Sequence, residues 1–258
     1  MTTDLAALKQ AVASVLPFPI DRYRDDAVDR RLASWLSGRP EQTREALLER
    51  LQRDIDLQDD LIAGLTIHVT GWLRDPEGFS ALRDRILPEL ATRFGTVRIW
   101  SAGCSDGAEI LSVAAMAEAA GLLDRCVLTA SDISRPTLAR AGRGVFRPEA
   151  QQGLPESWRD SKGTVAADGT WTAPATWLGG IRFVAHDLLG ELPLQGQHLI
   201  LCRNVTIHMV DEARDEVWRK LGRALPSGGM LFVGSAEHLP AGGEHGCRPL
   251  RPFFYEKA

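Results

Sequence analysis

The chain has 258 residues, 44% of them hydrophobic and 25% charged, a composition that predicts an ordinary globular protein with room for an α/β core and a smaller accessory unit. Its formal net charge of −4 disfavours nonspecific binding to nucleic acids or anionic membranes. No apolar run approaches the roughly 18 residues of a membrane span, and the N-terminus lacks the basic flank of an export signal, so we expect a cytoplasmic protein without membrane insertion. The four cysteines are widely spaced and show no ligand spacing with the histidines, which favours free thiols over disulfides or a metal site.

Residues 1–94 are predicted to form an all-helical N-terminal domain. Apolar residues recur three or four positions apart, as on one face of a helix, in three segments. These residues are Leu5, Leu8, Val12 and Leu16 in the first, Val28, Leu32, Trp35 and Leu36 in the second, and Leu47, Leu48, Leu51 and Ile55 in the third. A fourth helix is expected from Pro76, a residue suited to a first turn, through Leu90.

Residues 95–258 show the alternation of strands and helices that is typical of a doubly wound, mainly parallel sheet. Strands are predicted at 97–102, 126–131, 181–185, 198–202 and 229–234, and helices at 107–120, 134–142 and 211–225. Glycines and prolines interrupt the alternation over residues 146–179, here called the insert, which we interpret as a small β-subdomain or a long loop. Residues 248–256 are consistent with a last antiparallel strand. The predicted fold class is therefore α/β, a Rossmann-like sheet with an N-terminal helical domain and an inserted β-subdomain.

The turn after the first predicted strand indicates a ligand site. Residues 98–109 run from an apolar strand into small residues and then a helix, and Gly103 would let the backbone approach a ligand closely. A dinucleotide site would have more glycines around a pyrophosphate, whereas Asp106 and Glu109 make a poor surface for an anion. A second strand ends on Asp132, at the chain distance typical of a ribose-binding carboxylate. Acidic groups suit a nucleoside that carries a cationic amino acid, so the pattern predicts S-adenosylmethionine as cofactor and a methyltransferase.

Polar residues also follow the other strands, at the edge where parallel strands end together. Asp187 would lie beside the adenine, although a turn-forming aspartate fits its position as well. Arg203 and Asn204 follow the apolar run 199–201, and because buried polar groups need partners, they could hold a carboxylate of the cofactor or of the acceptor. A loop-fixing asparagine and a surface arginine are the alternative. Asp132 could likewise cap the helix that follows it.

Five segments, in order along residues 20–256, resemble the chemotaxis receptor methyltransferases of the CheR type. They are residues 70–76, 98–105, 131–133, 202–205 and 228–237. The resemblance implies transfer of a methyl group from S-adenosylmethionine to receptor glutamates, with S-adenosylhomocysteine as the product. It also implies that the insert corresponds to the small β-subdomain of that family. Trp158, Trp171 and Trp177 in the insert could anchor a peptide partner or, as we expect, fill a subdomain with few other apolar residues.

The resemblance assigns roles to the predicted site residues. Thr70 and Arg74 would face the methyl group and the incoming carboxylate, with Arg203 at the substrate end of the pocket. The cofactor would lie against Ala102, Gly103, Glu109, Asp132, Ile133, Asp187, Leu188 and Asn204. Among these, Asp132 would bind the ribose, Asp187 and Leu188 the adenine side, and Glu109 the amino group of the cofactor.

Departures from the family pattern leave the acceptor open. His208 stands where the family has a tyrosine near the reacting centre, and residues 21–39 are mixed in charge, which weakens steering toward an acidic receptor. A glutamate carboxylate is already ionised and needs only Arg74 to orient it, whereas an amine or hydroxyl acceptor would need a base such as His208. His208 could also simply pack on the following helix. Three functions follow: carboxyl O-methylation of a protein glutamate or similar carboxylate, N- or O-methylation of a small molecule, and a catalytically silent, cofactor-binding signalling module.

Overall fold

The apolar runs after residue 96 form strands of one seven-stranded sheet. The computed structural model describes residues 5–16, 18–37, 39, 43–66, 71–191, 194–240 and 242–258. The strands are β1 (Val97–Ala102), β2 (Cys126–Asp132), β3 (Val145–Phe146), β4 (Thr164–Val165), β5 (Trp171–Thr172), β6 (Ile181–Ala185), β7 (Leu199–Cys202), β8 (Met230–Val233), β9 (Cys247–Arg251) and β10 (Phe254–Lys257). The large sheet has the order β6-β2-β1-β7-β8-β10-β9, and its pairs are parallel except for the two pairs of β10. The strand order therefore reverses between β1 and β7.

Helices cover both faces of this sheet. They are α1 (Leu5–Ala13), α2 (Asp25–Ser37), α3 (Arg44–Arg53), α4 (Ile55–Leu65), α5 (Pro76–Ala81), α6 (Leu87–Phe94), α7 (Ala108–Ala119), α8 (Arg135–Arg143), α9 (Glu156–Ser161), α10 (Ala175–Leu178) and α11 (Asp211–Ala224). Alternate residues of the central strands point to opposite faces. Ile99 and Leu201 are buried with α5, α6 and α7, whereas Trp100 and Ile200 are buried with α11. Burial on both faces explains why these strands are continuous apolar runs in the sequence.

The predicted fold class is confirmed, with three corrections to its elements. Ile55 does not end the third helix but begins α4, where Asp54 Oδ1 accepts a hydrogen bond from the N–H of Leu57 at 3.0 Å. The Ile55 side chain is 61% exposed, so its apolar spacing was coincidental. The helix predicted from Pro76 is interrupted by π-helical turns over Leu82–Ile86, between α5 and α6. The segment 248–256 is a hairpin of β9 and β10 rather than one strand, and β10 alone pairs antiparallel with β8.

Helices α1 to α4 have a hydrophobic core of their own, which extends from Leu8 to Leu65. Helices α5 and α6 instead contribute Phe79 and Leu90 to the core of the sheet. Ile133, just after β2, packs against the core of the N-terminal helices and so lies where the two parts of the chain meet. The domain boundary at residue 94 stays a prediction.

The insert contains a small antiparallel sheet of order β3-β5-β4, together with α9 and α10. Trp171 and Trp177 are fully buried, and the half-buried Trp158 packs edge-on against Trp177 with ring centroids 5.7 Å apart. These rings therefore fill the interior of the subdomain. A peptide contact at the insert stays a prediction.

The cysteines are free thiols, and Cys104 and Cys202 are buried. Burial raises the pKa of both thiols well above the ordinary value, so neither is a reactive thiolate at neutral pH. Among the residues that the structure describes, no group of acidic, histidine and cysteine side chains is arranged to hold a metal ion. The same described part of the chain contains no helix with the length and apolarity of a membrane span.

Candidate active site

A cavity lies at the carboxyl edge of the large sheet, beside the reversal of strand order. The loops that follow β1, β2, β6 and β7 line one side of it, and α2 and the end of α4 line the other. Ligands of open α/β sheets bind at this place. The predicted site residues that line it are Arg74, Gly103, Glu109, Asp132, Ile133, Asp187, Leu188, Arg203, Asn204 and His208.

The turn after β1 requires a glycine where it meets the loop after β7. Gly103 has a φ of +79°, and a Cβ added there would lie 2.5 Å from Cγ2 of Val205. The N–H groups of Gly103 and Cys104 both donate to the carbonyl of Ser131 at 2.8 Å, which ties the turn to β2. The glycine therefore allows the turn to pack closely against Val205, and its fixed backbone lines the cavity.

Asp132 links the turn after β1 to the start of α8. Its Oδ2 accepts a hydrogen bond from the N–H of Ser105 at 2.9 Å, and its Oδ1 accepts one from the N–H of Ser134 at 3.0 Å. The helix cap is Ser134, whose Oγ accepts from the N–H of Thr137 at 3.4 Å. Asp132 is thus not the cap. Its carboxylate retains acceptor capacity beside the cavity, because two oxygens offer about four lone-pair positions.

Glu109 is held between Ser101 and Arg203. Its Oε1 accepts from the hydroxyl of Ser101 at 2.7 Å, and its Oε2 lies 3.2 Å from Nη1 of Arg203. Burial raises the pKa of Glu109, and the charge of Arg203 opposes that shift. A paired carboxylate on the cavity wall can still accept from an ammonium group, since its remaining lone pairs are free for further donors.

The Arg203 guanidinium is buried and binds the backbone of Arg74 and the side chain of Asp75. Only 2% of its side chain is exposed, and its Cζ lies 4.5 Å from the ring centroid of Phe232. Its Nη2 donates to the carbonyl of Arg74 at 2.5 Å and lies 2.8 Å from a carboxylate oxygen of Asp75. The interpretation of Arg203 as a surface residue is wrong, because its side chain is buried. Its role in holding a carboxylate of the cofactor or of the acceptor stays a prediction, since Arg203 lines the cavity. A buried charge must be paired, and here carboxylates of the protein itself pair it.

Residues 71–75, here called the Arg74 turn, carry Arg74 to the cavity. The side chain of Arg74 is exposed and lines the cavity, and its two neighbours, Leu73 and Asp75, have φ values of 51° and 58°. Left-handed backbone costs a residue other than glycine about 1–3 kcal/mol, and it persists only where surrounding contacts fix it. Such strain is typical of functional sites.

Glu237 fixes the loop that follows β7. Its Oε2 accepts from the N–H of Asn204 at 2.6 Å and from the N–H of Gly234 at 2.9 Å. Its Oε1 accepts from the N–H of Val205 at 3.0 Å and from both the N–H and the hydroxyl of Thr206 at 2.9 Å. Only 3% of Glu237 is exposed, and Asn204 has a φ of 58°. Two sequence segments that resemble the CheR family therefore meet at one carboxylate, a role that sequence analysis did not assign.

His208 lies half-buried at the cavity, in a region of positive charge. Burial lowers the pKa of His208, and the charge of Arg31 lowers it further. Glu237 opposes this shift, and Arg24 and Arg74 each add a smaller lowering effect. The imidazole is therefore neutral at pH 7. A neutral imidazole is compatible with a base as well as with a packing role.

Tyr23 closes the cavity from the side of the N-terminal helices. It forms an isolated β-bridge with Met209, and its ring stacks on Phe18 with centroids 4.9 Å apart. Burial raises the pKa of Tyr23, and the charges of Asp187 and Asp132 raise it further, so the phenol keeps its proton beside these carboxylates. No sequence pattern identified Tyr23, because it lies between helices and far along the chain from the strand ends.

Among the described residues predicted for the site, Ala102 does not line the cavity. The side chain of Ala102 is buried in the core beneath α11, and Thr70 lies outside the described residues. The cavity also has lining residues from the N-terminal helices that the sequence did not identify: Tyr23, Ala27, Val28 and Leu65. Val28 and Leu65 look like core residues in the sequence, and their apolar spacing gives no sign of a ligand.

Residues 68–249 match the family described as CheR methyltransferase, SAM binding domain. The chain belongs to the CheR methyltransferase family. A chemotaxis protein methyltransferase of Listeria monocytogenes serovar 1/2a is 31% identical over 236 residues, covering 91% of this chain and 90% of that protein. One of Listeria innocua serovar 6a is 29% identical over 255 residues, covering 98% and 97%. Among solved structures, plantazolicin methyltransferase BpumL is 13% identical with a TM-score of 0.39, covering 89% of this chain and 59% of that one.

This CheR family member is an S-adenosylmethionine-dependent methyltransferase. The residues present fit that cofactor, because three carboxylates, those of Glu109, Asp132 and Asp187, line one cavity. Carboxylates accept from hydroxyl, amino and ammonium groups, all of which the cofactor carries. Gly103 follows β1 and lines the same cavity.

Proposed function

We propose that this enzyme methylates a carboxylate, the side chain of a glutamate in a protein acceptor, and that Arg74 orients it. The observation that carries the proposal is positive charge beside His208: Arg74 lines the cavity, and Arg31 donates to the carbonyl of Thr66, another lining residue, at 2.8 Å. Such a field attracts an anionic acceptor and repels a cationic amine.

Two of the acidic residues of α2 are paired with a lysine of the neighbouring helix α1. Lys9 of α1 forms ion pairs with Asp25 and, at 3.5 Å, with Asp29. Part of the acidic charge of α2 is therefore neutralised by its neighbouring helix, while Arg31 remains near the cavity. The relatives named chemotaxis protein methyltransferases motivate a chemotaxis receptor as the first acceptor to test. A cytoplasmic location stays a prediction.

The cofactor would bind along the carboxyl ends of β1, β2, β6 and β7. We propose that Asp132 accepts from the ribose hydroxyls, Asp187 and Leu188 hold the adenine, and Glu109 holds the amino group. Ile133 would pack against the adenosine, Gly103 would offer its bare backbone, and Asn204 would lie at the end nearest the acceptor. The support for these roles is that all of these residues line one cavity.

Methylation of a carboxylate does not require a general base from the protein. When bound, S-adenosylmethionine supplies an electrophilic methyl group on its sulfonium. A glutamate with an ordinary pKa of about 4.3 is ionised at neutral pH and needs no base. The contribution of the protein is then position: Arg74, held between two strained residues, pairs with the carboxylate and aligns one oxygen for in-line displacement.

A second candidate function is supported by His208. Its imidazole lines the cavity and is neutral at pH 7, so it could accept the proton of an amine or hydroxyl on a small-molecule acceptor. The third alternative, a signalling module without catalysis, predicts no turnover with any acceptor.

The test compares Arg74→Ala and His208→Ala on receptor fragments that carry glutamates and on small-molecule acceptors. We expect Arg74→Ala to lower kcat/KM on the receptor fragment by about 100-fold or more, since a misplaced acceptor loses the benefit of orientation. His208→Ala should stay within about threefold of the wild type, because no proton has to be removed. Arg83→Ala is the control, because Arg83 is exposed, lies outside the cavity and pairs with the adjacent Asp84. The reverse sensitivity, with transfer to a small molecule, would favour the second function.

A further inference from the structure

We propose that the insert positions the catalytic arginine: Trp72, locked into the insert, holds the Arg74 turn from one side while Arg203 holds it from the other. The inference rests on the proposed function of Arg74. It gives the insert a role in catalysis that is independent of any partner bound to it.

The first observation is the packing of the Trp72 ring. Trp72 is 2% exposed, and its ring meets the rings of Phe146, Trp158 and Trp171 edge-on, with centroids 4.9, 6.4 and 5.3 Å away. All three partners belong to the insert. Edge-to-face pairs of aromatic rings add about 0.5–1.5 kcal/mol each beyond the burial of their area. A ring with three such partners has one defined position.

The second observation is a close backbone approach at the same place. The N–H of Trp72 donates to the carbonyl of Gln152 at 3.2 Å. Gly153 follows with a φ of +82°, and a Cβ added to it would lie 2.4 Å from the carbonyl oxygen of Trp72. No real Cβ tolerates such a contact with backbone, so the glycine allows the insert to touch the Arg74 turn.

The third observation is that the other end of the turn is fixed independently. Arg203 donates to the carbonyl of Arg74 at 2.5 Å and pairs with Asp75 at 2.8 Å. Arg74 itself lies between Leu73 and Asp75, both with left-handed backbone. Strained backbone of this kind relaxes unless both ends are held. Trp72 holds one end of the Arg74 turn and Arg203 holds the other. The contacts of Trp72 depend on the insert.

The consequence is a separation between catalysis and cofactor binding. Of the carboxylates proposed to bind the cofactor, Asp132 ends β2, Asp187 follows β6 and Glu109 lies on α7. None of their hydrogen bonds and ion pairs within the described residues involves Trp72 or Gly153. Releasing Trp72 should therefore displace Arg74 and lower kcat while the affinity for S-adenosylhomocysteine is retained. A displacement of about 1 Å at a reacting group can cost about 100-fold in rate.

The experiment uses Gly153→Ala with Gly169→Ala as the matched control. Gly169 is also in the insert and has a φ of +80°, but a Cβ there would meet only Cγ of Pro148, at 3.2 Å. Both variants strain the backbone alike, and only the first pushes on Trp72. We expect Gly153→Ala to lose about tenfold or more in kcat relative to Gly169→Ala, with the dissociation constant for S-adenosylhomocysteine within about threefold of the wild type. Trypsin cleavage after Arg74, followed by mass spectrometry, should be faster in Gly153→Ala, because the turn opens more often.

Equal kcat and equal cleavage in the two glycine variants would overturn the proposal. If Gly153→Ala fails to fold, Trp72→Phe replaces it, since the smaller ring loses part of the contact with the insert without a backbone clash, and the same kcat and cleavage comparisons apply. Arg74→Ala distinguishes failure of the proposed function from failure of the positioning by the insert. Full activity of Arg74→Ala, with faster cleavage of Gly153→Ala, would refute the role of Arg74 in catalysis and leave the positioning by the insert standing.

Discussion

Replacing Glu237 by glutamine should be among the most damaging conservative changes in this protein. Glutamine keeps the shape of the side chain but turns one acceptor oxygen into an NH2 donor. The Glu237 carboxylate receives two N–H donors on Oε2, from Asn204 and Gly234, and three donors on Oε1, from Val205 and Thr206. The glutamine amide would place its oxygen at the Oε1 position, where three donors meet, and its NH2 group at the Oε2 position. The hydrogen bonds from the N–H groups of Asn204 and Gly234 are then lost.

The expected magnitude follows from the number of bonds. A hydrogen bond to a charged group contributes about 1.5–3 kcal/mol, so two of them contribute about 3–6 kcal/mol before the structure relaxes. That is a large part of the roughly 5–15 kcal/mol by which folded domains are stable. Thr206→Val removes one donor of the five and should cost about half as much, about 1.5–3 kcal/mol. We therefore also predict that Glu237→Gln lowers the free energy of unfolding by more than Thr206→Val does.

Urea unfolding and calorimetric titration of S-adenosylhomocysteine are the assays. The control is Glu244→Gln, because the Glu244 side chain is 78% exposed and its ion pair with Arg219 is long, at 3.5 Å. Because Asn204 and Val205 line the cavity, we expect Glu237→Gln also to weaken binding by about tenfold or more in the fraction that stays folded. A free energy of unfolding within about 1 kcal/mol of the wild type, with unchanged binding, would refute the reasoning.

Three further predictions concern the cofactor end and the acceptor. Asp132→Ala should abolish the micromolar binding of S-adenosylhomocysteine that we expect of the wild type in a calorimetric titration, whereas Asp124→Ala, outside the cavity, should not. Tyr23→Phe should fold like the wild type and keep its stack on Phe18, and we expect weaker S-adenosylhomocysteine binding in the same titration if the phenol donates to the cofactor. Because the pKa of His208 is lowered, its imidazole is already neutral above about pH 6.5, and kcat on a carboxylate acceptor should be flat from there to about pH 8.5 in a stopped assay. A rate that falls as the pH drops through the lowered pKa of His208, and becomes pH-independent in His208→Ala, would indicate a base.

Local sequence patterns were sufficient to predict the position in the fold of residues at the ends of strands. Gly103 and Asp132 follow apolar runs buried on both faces of the sheet, and parallel strands bring their carboxyl ends together whatever the rest of the chain does. The same reasoning located Asp187, whose Oδ1 also forms the turn that was its alternative, accepting from the N–H of Leu189 at 2.9 Å. Both interpretations of Asp187 are therefore compatible with the structure.

Roles set by partners far along the chain could not be predicted in this way. Arg203 follows a strand like the others, but its partner Asp75 is 128 residues away, and no local spacing encodes that pair. Glu237 is similar, since its five donors depend on how the loops after β7 and β8 fold together. Ile55 shows the opposite failure, because helical spacing continued by chance across the cap at Asp54.

The most direct test of the account is transfer of a radiolabelled methyl group to a glutamate-bearing receptor fragment, followed by treatment with base. A methyl ester of a carboxylate releases methanol in base, whereas N-methyl and ether products do not. The account predicts base-volatile label with the wild type and almost none with Arg74→Ala, although the variant still binds S-adenosylhomocysteine. Label that resists base, or base-volatile label undiminished in Arg74→Ala, would contradict it.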